Sequence, residues 1–257
     1  MKQYDIINSF IKQLIDNKYI NCAFLLGSYG RKREDEYSNI DFYFVLNSEY
    51  EEDFYNNYFK LLSKYGKIIY HKNINHKDII IVYSEDNLGL ILNINIHITD
   101  LSDVDIDNDI LPLYDPYHLI DKINDDISFS YEEIGGKIDN IALNALEFSR
   151  MYQRNDIAIM FDLTNKILND YVCVTRYYKD KKSSKLEKKE FLAVLSKEER
   201  LRFVNILKHI RIDTLKDAIV LMMEDISNIL MKLDLNVASK FDYDFFMYMF
   251  MKIKSIK

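Results

Sequence analysis

The most informative stretch of the sequence is Leu25-Leu26-Gly27-Ser28-Tyr29-Gly30-Arg31, and ten residues separate Ser28 from the Asn39-Ile40-Asp41 segment that follows. The apolar run Asn21–Leu26 ends in a Gly-Ser corner, which predicts a buried strand that enters a tight turn and a helix start. Residues 39–46 then alternate between polar and apolar, and this period of two predicts a second strand. Asn39 and Asp41 are expected on one face of that strand.

This arrangement suits a phosphate-bearing ligand. Gly27 allows the backbone to approach a phosphate closely, and the Ser28 hydroxyl with nearby N–H groups can hold phosphate oxygens at a helix N-terminus. Arg31 can neutralise phosphate charge. Asn39 and Asp41 stand where oxygen ligands for Mg²⁺ over that phosphate are expected. The competing interpretation is an ordinary strand-turn-helix corner with no ligand.

The rest of the first half is predicted as mixed α and β structure. Residues 3–18 and 50–65 have helical spacing of apolar positions, and residues 67–72, 78–84 and 90–99 are strand candidates. Residues 90–99 alternate, so that Asn93, Asn95 and His97 share one face.

The second half changes its hydrophobic period. Pro112 and Pro116 predict a loop over residues 101–117, and after about residue 132 every segment has helical spacing. We therefore predict an α+β protein, with a mixed-sheet domain over residues 1–115 and a helical bundle over residues 130–257.

The Gly-Ser turn and the polar pair on the next strand resemble the nucleotidyltransferase superfamily, whose motif is Gly-Ser, about ten residues, then Asp-x-Asp/Glu. The nearest likeness is to the two-domain lincosamide and aminoglycoside antibiotic nucleotidyltransferases, with Tyr37-Ser38 before the polar pair and Phe42-Tyr43 after it. The resemblance implies a sheet domain that carries NTP and Mg²⁺, and a helical domain that helps to form the acceptor pocket. It also implies transfer of a nucleoside monophosphate to a hydroxyl of a small, antibiotic-like molecule, often in homodimers.

The chain departs from that family's acidic pattern. Asn39 stands where the family has its first metal-binding Asp, Asp41 keeps the second carboxylate, and Asn95 aligns best with the third. The resemblance therefore implies Asp41 and Asn39 as metal ligands, a weakly bound Mg²⁺, and Asn95 or His97 as the residue that orients or deprotonates the acceptor. A near-neutral pKa suits His97 to the role of base, although a hydrogen-bonded structural histidine is an equal interpretation.

Composition excludes several other classes. The net charge of −7 is unfavourable for a nucleic-acid partner, and the lysine-rich segment 179–189 is interpreted as a solvated loop. Apolar runs are too short to span a bilayer, so no membrane association is expected. The chain begins without a signal-peptide pattern, and Cys22 and Cys173 are isolated, which together predict a cytoplasmic protein.

Three hypotheses for function remain. The first is an active Mg²⁺-dependent transferase acting on a small hydroxylated compound. The second is a catalytically impaired relative that acts as a nucleotide- or small-molecule-binding or regulatory module. The third is a relative that acts on a partner protein. The depleted carboxylates favour the second, whereas Gly27, Ser28, Arg31 and Asp41 favour the first.

Overall fold

A computed structural model describes residues 2–74, 77–84, 90–97, 101, 110–123, 128–186, 188 and 191–256. The chain forms two compact units, Met1–Asp125 and Asp126–Lys257. The first carries a six-stranded mixed sheet with helices, and the described part of the second is helical. The prediction of an α+β protein with a helical C-terminal region is confirmed.

The first unit contains three helices and six strands in its described part. Their bounds are α1 Lys2–Asp16, β1 Ile20–Leu25, α2 Gly27–Gly30, β2 Ile40–Leu46, α3 Glu51–Leu62, β3 Ile68–Ile74, β4 Asp78–Tyr83, β5 Leu90–His97 and β6 Leu111–Tyr114. Short 3₁₀ turns occur at Ser48–Tyr50, Ser63–Tyr65 and Ile120–Lys122. Apart from β6, the bounds of the strands, of α1 and of α3 lie within a few residues of those predicted.

The strand order of the sheet is β3-β4-β5-β2-β1-β6. The β2–β5 pair is parallel, and the other four pairs are antiparallel. One face is covered by α1 and α3, which pack aromatic rings against the sheet: Phe10 lies 5.5 Å from Phe42, and Phe54 lies 5.9 Å from Phe44, between ring centroids. Burial of this face fixes which residues of each strand point away from it.

The opposite face of the sheet divides into two parts. A small apolar cluster over β1 and β2 contains Cys22, Phe24, Val45 and Leu101. Beyond it, Asp41 and Tyr43 on β2 and Asn93 and Asn95 on β5 are polar and only half-buried. This polar part is where the candidate site lies.

The prediction of an uninterrupted loop over residues 101–117 is wrong, because β6 lies within it. Pro112 pairs with Phe24 on β1, at the edge of the sheet. A proline lacks the N–H that a central strand would need, but it is tolerated at an edge. The proline that suggested a loop therefore marks an edge strand.

The second unit contains seven helices in its described part. They are α4 Tyr131–Arg154, α5 Ile157–Lys179, α6 Phe191–Val194, α7 Lys197–Lys208, α8 Leu215–Leu230, α9 Leu235–Ala238 and α10 Tyr243–Ser255, with a 3₁₀ segment Lys181–Leu186. The Ser130 and Glu133 side chains form a capping box at the start of α4, and Asn155 ends that helix in the left-handed conformation at φ 54°. None of the described helices has the length and apolar character that crossing a bilayer requires.

The core of the second unit follows the helical spacing seen in the sequence. Along α5, residues Met160, Leu163 and Ile167 are buried, and along α8 Ile219, Met222 and Ile226 are fully buried. These stripes pack into one cluster, as the period of 3.6 residues predicts for amphipathic helices of a bundle.

Candidate functional site

The turn after β1 adopts the conformation that a glycine makes accessible. Gly27 has φ +66°, in the left-handed region where other L-residues are strained. The single turn of α2 follows at once, and the N–H of Leu26 donates to the carbonyl of Asp41 at 3.2 Å. This bond ties the turn directly to β2.

The Asp41 carboxylate lies against the turn. A Cβ on Gly27 would sit 2.9 Å from Oδ2 of Asp41, which is closer than carbon and oxygen tolerate. Glycine at position 27 therefore serves two purposes, because it supplies the positive φ and leaves room for the carboxylate. The one acidic residue of the predicted pair is thus held beside the predicted phosphate turn.

A second residue holds Asp41 from the neighbouring strand. Asp41 pairs with Asn93 in the parallel β2–β5 register, and Nδ2 of Asn93 donates to Oδ1 of Asp41 at 2.7 Å. The sequence analysis placed Asn93 on the polar face of its strand but assigned it no role. The signal that could have identified it is the parallel register, which depends on contacts between segments about fifty residues apart.

Asn95 lies two residue pairs further along the same two strands, on the same face as Asn93. It is opposite Tyr43 on β2 and opposite Asp78 on β4. We refer to Asp41, Tyr43, Asp78, Asn93 and Asn95 as the polar sheet face. Asn95 thus shares a face with Asp41, but Tyr43 rather than Asp41 is its partner on β2.

Tyr43 brings a phenol into this face. Burial raises the pKa of Tyr43, and the negative charges of Asp41 and Asp78 raise it further. Its ring stacks on Phe24, with centroids 5.5 Å apart. The phenol therefore stays protonated at neutral pH and can act as a hydrogen-bond donor.

The remaining predicted residues are placed as follows. Ser28 is half-buried within α2, Arg31 follows that helix directly and is also half-buried, and Asn39 is exposed immediately before β2. The backbone of His97 ends β5 opposite Val45, while its side chain lies outside the described part of the chain.

The charge of this face is low for a resident metal. Among the side chains that the structure describes, no three His, Cys, Asp or Glu residues are grouped so that they could hold a metal ion. Asp41 adjoins the turn, but Asp78 lies two strands away, where it is opposite Asn95 rather than Asn93. The donor set instead suits a Mg²⁺ ion that arrives with nucleotide phosphates, because such ions need only one or two protein carboxylates.

Comparison with known proteins gives no family assignment. No protein-family model matches the chain, and a search of curated proteins finds no significant match.

Proposed function

We propose that the chain is a nucleotidyltransferase-like protein whose first unit binds a nucleoside triphosphate at the Gly27-Ser28 turn and whose acidic centre is too depleted for rapid transfer. In this proposal the protein acts as a nucleotide- or small-molecule-binding module. The observation that carries the proposal is the position of Asp41, packed against Gly27 and hydrogen-bonded by Asn93. In this proposal the turn binds phosphate, and the Asp41 carboxylate lies directly against its glycine.

Different residues of the chain would bind the phosphates and the metal ion. Backbone N–H groups of the turn and the Ser28 hydroxyl would hold phosphate oxygens, and Arg31 would add positive charge. Asp41, with the amide oxygen of Asn39, would hold a Mg²⁺ ion that accompanies the phosphates. That ion supplies charge neutralisation to the phosphates when it is bound.

Charge explains why we favour binding over turnover. An amide oxygen ligates Mg²⁺ without adding negative charge, so Asn39 offsets none of the cation's charge. In the family that the sequence resembles, three carboxylates serve this purpose, whereas among the described residues Asp41 is the carboxylate that lies against Gly27. Loss of a charged catalytic group commonly slows a reaction by roughly 10²- to 10⁴-fold.

An active transferase is the second candidate, and the contact between Asp41 and Gly27 favours it, since a carboxylate is retained at the phosphate turn. The acceptor would be a hydroxyl of a small molecule of the lincosamide or aminoglycoside class. Its oxygen would form a bond to the α-phosphorus while the bond to the pyrophosphate oxygen breaks, in line. His97 would accept the hydroxyl proton, and Asn95 would orient the acceptor.

Calorimetry of the full chain with ATP, with and without Mg²⁺, tests both candidates. We expect ATP to bind, and Mg²⁺ to tighten binding by a factor that Asp41→Asn largely removes. Asp16→Asn is the matched control, because Asp16 is an exposed carboxylate at the end of α1. Failure of ATP to bind under either condition would overturn the proposal.

Pyrophosphate release separates the two candidates. If the protein is a binding module, pyrophosphate release in the presence of a panel of hydroxylated antibiotics should stay at or near the rate measured without an acceptor. Brisk release that Asp41→Asn abolishes and Asp16→Asn leaves intact would establish the transferase instead. Brisk release that survives Asp41→Asn would show that Asp41 has been assigned the wrong role.

A further inference from the structure

The last helix of the chain, α10, has one face in the core of the helical unit and one face at the surface. The residues of the inner face are buried: Phe246, Met249, Phe250 and Ile253. On the outer face, Tyr248 and Met251 are 62% and 60% exposed. Tyrosine and methionine are enriched where proteins contact one another, so this outer face is a candidate interaction surface.

Charged residues border these two side chains, and their sign changes along the helix. Asp244 lies in the first turn of α10, and Lys252 and Lys254 lie in its last turn. Asp244, Tyr248 and Lys252 follow one another at intervals of four residues, which places them in one row along the helix. Neither Asp244 nor Lys252 has an ion-pair partner among the described residues, so both charges are available to a partner.

The neighbouring helix α4 runs beside α10 in the same direction, and its start extends the acidic end of this surface. The Asp139 carboxylate accepts a hydrogen bond from the N–H of Asp242 at 2.9 Å. Lys240, two residues before Asp242, already pairs with Glu132 at 2.7 Å. Asp139 and Asp244 therefore give this end a negative charge.

The far ends of α4 and α10 form the basic end of the surface. A shallow cavity of about 410 Å³ lies between them and is lined by Ser149, Arg150, Gln153, Arg154, Lys252 and Ile256. Arg150 pairs with Glu147 at 3.0 Å, whereas Arg154 and Lys252 have no carboxylate partner in the part of the chain that the structure describes. This end is therefore positively charged, and the sign of the charge reverses along the length of α10.

Such a surface complements itself when two copies of it meet antiparallel. Asp244 and Lys252 each lie four residues from Tyr248. With Tyr248 at a two-fold axis, Asp244 of one copy faces Lys252 of the second copy, and symmetry makes this contact twice. Phe245 and Met251, each three residues from Tyr248, meet in the same way. Rows of residues four apart pack along each other in the commonest class of helix contact.

We propose that the protein forms a two-fold homodimer through the outer face of α10, with Tyr248 at the axis. A second copy is the partner that this face fits, because it supplies an apolar centre and the opposite charge at each end. The surface lies within the helical unit, is separate from the polar sheet face and does not rest on the nucleotide proposal. Because the contact is centred on one helix from each copy, we expect a reversible dimer that dissociates at high ionic strength.

Sedimentation equilibrium of the full chain measures the dissociation constant of the dimer, and exchange of the two charges tests its geometry. Asp244→Lys alone or Lys252→Asp alone places like charges opposite each other at both symmetric contacts, so we expect dimerisation to weaken by roughly tenfold or more. The double variant restores opposite charges and should dimerise within about threefold of the unaltered chain. Lys208→Asp is the matched control, because Lys208 is exposed at the end of α7, and it should leave the dissociation constant unchanged.

Three outcomes of these measurements would overturn the proposal. They are a monomer at every concentration, a dimer that neither single variant weakens, and a double variant that dimerises no better than the single ones. Circular dichroism of each variant separates loss of the dimer from loss of the fold.

A cysteine at the axis provides a second measurement. The native Cys22 and Cys173 are buried, so Tyr248→Cys adds an exposed thiol that can meet its own copy across the axis. On mild oxidation we expect Tyr248→Cys to form a disulfide-linked dimer at protein concentrations at which Leu201→Cys stays largely monomeric. Leu201 is the matched control because it lies on α7 and is 65% exposed. Equal cross-linking of the two variants would indicate random collision and contradict the proposed interface.

Discussion

Two neighbouring residues hold Asp41 in position, and only one of them belongs to a motif that can be recognised in the sequence. Gly27 belongs to the Gly-Ser motif and makes room for the carboxylate, while Asn93 reaches it from a strand that follows much later in the chain. An amide that donates to a carboxylate stabilises the ionised form without adding charge. Asn93 therefore serves as a neutral support for Asp41.

Replacement of Asn93 by a second carboxylate should make the stability of the protein depend on pH and on Mg²⁺. In Asn93→Asp, two negative charges would face each other, and repulsion is roughly 3 kcal/mol for charges about 6 Å apart at an effective dielectric constant near 20. Repulsion raises the folded-state pKa of the pair, so stability is retained at low pH and lost as pH rises through that raised pKa. Mg²⁺ should restore the stability of the variant at neutral pH.

Thermal denaturation at about pH 4 and at neutral pH, with and without Mg²⁺, measures this effect. Asn47→Asp is the matched control, because it adds the same charge just after β2, where the side chain caps a 3₁₀ turn that aspartate also caps. If Asn93→Asp and Asn47→Asp had the same stability at neutral pH without Mg²⁺, the close contact of positions 41 and 93 would be refuted.

At the level of the element, α4 carries two adjacent glycines with opposite surroundings. A Cβ on Gly135 would lie 2.3 Å from the carbonyl oxygen of Lys240, whereas a Cβ on Gly136 would meet no atom of the described residues within 4 Å. Gly135 therefore permits close packing of α4 on the segment after α9, and Gly136 has no such contact.

The pair predicts stability changes of opposite sign. Gly135→Ala should destabilise by about 1–3 kcal/mol, because backbone atoms of Lys240 must move. Gly136→Ala should stabilise by about 0.5–1 kcal/mol, because alanine has the higher helix propensity. The midpoint of chemical denaturation measures both. A shift of both variants in the same direction would contradict the packing described for α4.

The individual elements also show which parts of the secondary structure can be predicted from local sequence. The helices of the second unit follow from periodicity alone, because each carries its apolar stripe within a few turns. Strand β6 could not be predicted in this way, since it has four residues, includes Pro112, and exists by pairing with β1. Short edge strands are defined by their partner more than by their composition.

Across the whole molecule, the aromatic content gives a measurable pH response. The chain has 20 tyrosines, and burial raises the pKa of Tyr19, Tyr29 and Tyr55 to about 12, with Asp53 contributing for Tyr19. An unfolded tyrosine ionises near pH 10. The stability that these residues contribute is therefore complete below about pH 10 and is lost as pH rises through 12.

Ultraviolet titration of the phenols should consequently show two classes of tyrosine. One class should ionise near pH 10, and a second should ionise only at about pH 12, together with loss of the near-ultraviolet circular dichroism of the folded state. In guanidinium chloride all of them should ionise near pH 10. A single transition near pH 10 in the native protein, with the dichroism intact, would show that these rings are not buried.

The α+β class, the helical second half and the polar face of the long strands could be predicted from local sequence, because these depend on periods of two and 3.6 residues. The tertiary structure alone decided that Asn93, and not Asn95, lies beside Asp41, since a strand register is set by hydrogen bonds between distant segments. It also brought Tyr171, Arg202 and Asp225 into hydrogen-bond contact, because these residues come from three different helices. Local patterns specify the elements, and only their packing brings together charges that are distant in the chain.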